Sequence, residues 1–154
     1  MNIAVDPQSA TRPSLRLERL IAAPVERVYD YWTRAELLAR WLAPGEVVVA
    51  DSDVDLQPGG AWFVTMRHPD GHTSTVEGIY LALEPPHRLV FTWGSNDSHC
   101  AAGQGETEVE IALAEVPGGT RLVLTHTKFA TVEQRDRHEM GWGGCLDKLE
   151  RVAR

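Results

Sequence analysis

Long apolar runs are missing from this chain. No stretch approaches the roughly 20 apolar residues that cross a bilayer, so no integral membrane association is expected. Clustered cations are missing too. Lys and Arg number 15 against 22 Asp and Glu, a formal charge of −7, and no Lys/Arg cluster exceeds two residues. A groove that tracks phosphates needs such clusters, so nucleic acid is not expected as a partner. Cysteine is scarce: Cys100 and Cys145 stand 45 positions apart, in no metal or redox spacing. Two free thiols suit a reducing compartment. The opening "MNIAVDPQSATRPS" has no basic segment followed by an apolar one, so no secretory leader is expected. The expected location is the cytoplasm.

What is present fits an ordinary globular chain, with 43% apolar and 24% charged residues in 154. Residues 1–14 read as a flexible arm and residues 15–154 as one domain. "LRLERLI" (15–21) alternates as a strand. Pro24 then suits a helix first turn, where its missing N–H costs nothing. Val25, Val28, Tyr29 and Trp32 follow on one helical face. "RAELLARWLAP" predicts a second short helix carrying Leu37, Leu38, Trp41 and Leu42. From residue 46 the period changes to two and six strands follow, one hairpin marked by Asp70-Gly71. From about Thr131 to Ala153 the period returns to 3.6. The order β–α–α–β–β–β–β–β–β–α predicts an α+β fold: a curved antiparallel sheet, covered on one face by a long C-terminal helix.

That last helix holds "HEMGWGGCLDKLE" (138–150), with three glycines that each cost roughly 1 kcal/mol against alanine in a helix interior. On a helical wheel His138, Trp142, Cys145, Leu146, Leu149, Val152 and Ala153 share one band, with Asp147, Lys148 and Arg151 opposite. Gly141 and Gly143 flank the band, where missing side chains either let backbone approach closely or leave room beside the indole. Gly144 is placed towards solvent, with no physical account. Facing the band from the sheet are Val109, Ile111 and Leu113, then Leu122, Leu124 and His126, then Leu89, Phe91 and Trp93. One of the two phases of "GAWFVTMR" supplies either Trp62 or Phe63. Aromatic walls around an apolar cleft are what small-molecule sites use. The expected lining is Trp62, Tyr80, Phe91, Trp93, Val109, Ile111, Trp142 and Cys145, with His126 and His138 as polar contacts at one mouth. Tyr80 and Arg67 are weaker polar candidates that depend on strand phase.

Catalytic and metal motifs are largely wanting. No G-x-S-x-G elbow occurs. Cys145 lies two helical turns (about 10.5 Å) beyond His138, too far for a thiol–imidazole pair, and reads as a small buried hydrophobe. Cys100 sits beside His99 in "SNDSHCAAGQG", where adjacency alone makes no pair. His68 and His72 need not converge across a hairpin turn and lack a third ligand, so no metal site is expected. "DSDVDL" has Leu56 where a calcium loop needs glycine and Trp62 where it needs the chelating glutamate; Asp51, Asp53 and Asp55 read as a solvated strand face. No cofactor is expected.

Several stretches resemble one family. "LERLIAAPVERVYDYWTRAELLARWLAP" is similar to its first strand and helix pair. "QPGGAWFVTMRHPDGHTSTVEGIYLALEPPHRLVFTW" is similar to its central strands, and "GGTRLVLTHTKF" with "HEMGWGGCLDKL" to its last strand and helix. The family is the activator of heat-shock-protein-90 ATPase homologue-like group, in the START/SRPBCC (polyketide cyclase-like) superfamily, and the resemblance spans about residues 15–153. It implies a helix-grip fold with a hydrophobic cavity between sheet and terminal helix. It also implies binding of a small apolar or aromatic ligand better than catalysis. Two alternatives stay open: a cyclase- or hydrolase-type enzyme using His126 or His138 as base, and a module for a weak protein partner like the chaperone activators. Those activators carry further segments not seen here.

Overall fold

The structure, a computed structural model, describes residues 12–95 and 106–154. Strand β1 (Leu15–Ile21) leads into helices α1 (Val25–Thr33) and α2 (Ala35–Leu38). Six strands follow: β2 (Val48–Val54), β3 (Ala61–Arg67), β4 (Thr73–Glu84), β5 (Arg88–Ser95), β6 (Thr107–Val116) and β7 (Gly119–Thr127). Helix α3 (Val132–Ala153) ends the chain. All seven strands form one antiparallel sheet in the order β1-β7-β6-β5-β4-β3-β2. The helix-grip architecture expected from the sequence is present.

Alternation on the strands sets the core. On β6, Thr107, Val109, Ile111 and Leu113 are buried, while the glutamates between them point away. Register carries that inner row across the sheet, pairing Phe91 with Val109 and Val109 with His126. Trp62, Val64 and Met66 are the buried phase of β3, which leaves Phe63 half-buried and Arg67 exposed. The outer face carries exposed ion pairs such as Arg121–Glu18 at 2.7 Å, which contribute little stability each. Asp51, Asp53 and Asp55 are exposed, as a solvated face requires.

Helix α3 is fixed at both ends by side chains. Thr131 caps its N-terminus, accepting from the Gln134 N–H at 3.1 Å, and Gln134 reciprocates by accepting from the Ala130 N–H at 3.0 Å. At the other end, the Tyr31 hydroxyl donates to the Val152 carbonyl at 3.0 Å. Arg19 on β1 holds Asp147 and Glu150 at 2.8 and 2.6 Å. Two expectations need correction. The second helix is a single turn, with residues 39–43 in tighter turns that bring Trp41 Nε1 to the Tyr31 carbonyl at 3.0 Å. And Gly144 faces protein: a Cβ there would lie 3.3 Å from Pro44 Cβ, so glycine admits the loop after α2 against the helix.

Candidate functional site

All five tryptophans of the chain meet in one cluster. Ring centroids run Trp41–Trp32 at 4.5 Å, Trp32–Trp142 at 5.9 Å, Trp142–Trp93 at 4.9 Å and Trp93–Trp62 at 5.6 Å. This cluster fills the middle of the groove between sheet and helix. On one side of Trp142 only about 10 Å³ of space remains, lined by Trp32, Leu38, Leu42, Trp62, Tyr80 and Phe91 with Trp142. On the other side a half-open pocket of about 170 Å³ lies beside the N-terminal half of α3. Its wall consists of Trp93, Trp142, Cys145, Met66, Val76, Gly141 and Pro44. His138, His68, Ser74, Ser95 and Arg137 complete the lining.

The residues expected from the sequence therefore divide. Trp93, His138, Trp142 and Cys145 line the pocket. Trp62, Tyr80 and Phe91 stand behind Trp142 around the smaller gap. Val109 and Ile111 are fully buried in the core and line neither space. Met66, Val76 and Ser74 were legible only once the phase of β3 was known, because Val64 pairs with Val76 and Met66 with Ser74. Pro44 comes from an irregular loop that no periodicity announces. Gly141 has open space where a Cβ would stand, and that space belongs to the pocket.

His126 does not line the pocket; it braces Trp142. The Trp142 Nε1–H donates to His126 Nδ1 at 3.0 Å. An indole N–H cannot accept, so Nδ1 is bare and Nε2 carries the ring proton. That proton is donated to Thr107 Oγ1 at 2.6 Å, and the Thr107 hydroxyl donates to the Trp93 carbonyl at 2.9 Å. Every polar atom of this buried relay is satisfied, which fixes the indole rotamer. Burial, and to a lesser extent the nearby His138, holds the His126 pKa well below the usual imidazole value.

His138 sits with its ring centroid 5.2 Å from that of His126, but His126 is fully buried and only His138 reaches the pocket, so the two are neighbours without sharing a mouth. The His138 Nδ1–H donates to the Gln134 carbonyl at 2.8 Å, which leaves Nε2 as the lone-pair nitrogen. Burial lowers its pKa, opposed by the Gln134 carbonyl and helped by Arg137, so the neutral ring predominates at pH 7. Burial pushes the Cys145 thiol up to about 12. Across the pocket His68 and His72 do converge, their rings stacked at 4.0 Å. Among the described residues no group of three metal-ligating side chains gathers. Cys100 and His99 lie outside the described residues.

Residues 22–154 match the family "Activator of Hsp90 ATPase homolog 1-like protein". The chain belongs to this family, within the SRPBCC/START-like superfamily. Among solved structures it is similar to a Chromobacterium violaceum protein, with a TM-score of 0.82 and 27% identity over 91% of this chain and 96% of that one. It is also similar to the AHSA1 protein of Silicibacter pomeroyi, with a TM-score of 0.79 and 31% identity over 90% of this chain and 96% of that one. A Nitrosomonas europaea protein follows at 0.76 and 29%, over 96% and 95% of the two chains. No curated protein gives a significant match. Among the described residues no helix is long and apolar enough to cross a membrane.

Proposed function

We propose that this chain binds one small apolar or aromatic molecule in the pocket beside Trp142, in the cytoplasm and without catalysis. The observation that carries this reading is the pocket itself: about 170 Å³, half-open, with walls of Trp93, Trp142, Met66 and Val76. A dry apolar cavity of about 150 Å³ suffices for a benzene-sized guest, so the expected ligand is one substituted ring or its aliphatic equivalent. Apolar walls with a few polar groups among them suit orientation of such a guest. Trp93, His138, Trp142 and Cys145 are the contacts proposed to be direct. His126 acts behind Trp142. His126 is also a poor general base, since its one lone pair is committed to the Trp142 N–H.

Native mass spectrometry of protein purified from its own host tests the proposal. A retained mass corresponding to a small single-ring or short-chain compound, lost on denaturation, is the expected result. Protein that emerges empty and binds no member of a small aromatic panel in calorimetry overturns it.

A further inference from the structure

The chain holds two lysines, Lys128 and Lys148. Lys128 makes an exposed ion pair with Glu108 at 3.1 Å. Lys148 is placed differently. The helical wheel turns it away from the buried band of α3, yet it is half-buried. Its ammonium donates to two backbone carbonyls, those of Ala43 and Val47. Giving up water to reach them lowers its pKa. The two carbonyls bracket a tight turn, closed by the Val47 N–H donating to the Pro44 carbonyl at 3.1 Å. Pro44, at the head of that turn, is part of the pocket wall. The turn lies between α2 and β2 and belongs to neither, so its contacts with α3 help to set where the wall stands. Gly144 lets the Pro44 ring come close, and Lys148, one helical turn further on, holds the carbonyls on either side. With Gly141, which faces the pocket, they fall at i, i+3 and i+7 on one face of the helix.

Resting on the binding function proposed above, we propose that Lys148 is a positioning residue that fixes how wide a guest the pocket accepts. Its ammonium ties the Pro44 turn to α3, so the wall does not swing outwards when a larger ring presses on it. An ammonium suits this task, because three donors on one flexible stem can serve carbonyls from both sides of a turn. Without it, the two carbonyls turn to water and the wall yields.

Isothermal titration calorimetry on the full chain tests this with benzene and indole, one ring against two fused rings. The unaltered protein is expected to bind benzene at least about tenfold more tightly than indole, because overfilling a packed site is costly. Lys148→Met keeps the apolar stem and removes the ammonium, and there the gap should close to within about threefold. A merely structural loss would weaken both guests by one factor. A gap unchanged in the variant, or indole bound as tightly as benzene by the unaltered protein, therefore overturns the role of Lys148 and leaves the pocket's binding function standing. If the unaltered protein binds neither guest, the binding function fails and this role with it. A second measurement needs neither guest nor variant. In protein carrying isotope-labelled lysine, NMR separates the two ammonium groups, and the Lys148 Nζ protons should exchange with water at least about tenfold more slowly than those of Lys128. Equal exchange rates overturn the tie to the Pro44 turn even where Lys148→Met does not fold.

Discussion

His126 shows how much one side chain can fix. Its two nitrogens join Trp142, Thr107 and the Trp93 carbonyl into a closed relay. Replacing Thr107 by valine removes the acceptor for the buried Nε2–H, so the variant should lose about 1–3 kcal/mol in urea denaturation. Acid should act on the same relay. The His126 and His138 pKa values are held below 6.5 in the fold, chiefly by burial, whereas the unfolded chain protonates both near 6.5. The unfolded state therefore binds more protons as pH drops beneath 6.5. Stability should be full at neutral pH and fall on acidification, with a slope approaching about 1.4 kcal/mol per pH unit for each imidazole. Denaturation midpoints between pH 7.5 and pH 5, taken as approximate settings, check the sign; a flat profile would mean the rings are not held neutral. Cys145, buried and with its thiol pushed up to about 12, should resist alkylation in native protein carrying Cys100→Ser and react only on unfolding.

At the scale of elements, the three glycines of α3 have three different surroundings. Gly141 faces the pocket, Gly143 has nothing within 4 Å of a Cβ, and Gly144 admits Pro44. Alanine at 141 or 143 should each raise stability by about 1 kcal/mol through helix propensity. Alanine at 141 should weaken ligand binding and alanine at 143 should not. Alanine at 144 should lose that gain, because its Cβ meets Pro44 Cβ at 3.3 Å. Melting curves with calorimetric titrations separate the three. The sequence shows the helix band and most strand phases, since period 3.6 and period 2 follow from burial of one face, but it leaves the phase of β3 open between Trp62 and Phe63. It does not show what Gly144 touches. That neighbour arrives from a loop about 100 positions earlier, and no local pattern encodes a long-range approach. The same holds for the second helix, whose apolar positions are buried through turns that a wheel cannot anticipate.

For the whole molecule, the lesson concerns volume. Alternation and aromatic content point to an apolar space between sheet and helix, and one exists. Its size depends on how five tryptophans share the groove, and only their mutual packing settles that. They occupy the centre, so the space contracts to one end, and Trp62, Tyr80 and Phe91 stand behind Trp142. Replacing Trp142 by alanine should merge the two spaces and admit larger guests, while leaving His126 Nδ1 unpaired. A loss of about 3–5 kcal/mol is expected for such a truncation. The central claim is that the unaltered pocket admits a guest of one ring, and a crystal soaked in bromobenzene tests it most directly through the anomalous signal of bromine. The account predicts a bromine peak between Trp142, Met66 and Val76 with the surrounding side chains unmoved. Side chains collapsed into that space, with no bromine there at any occupancy, would contradict it.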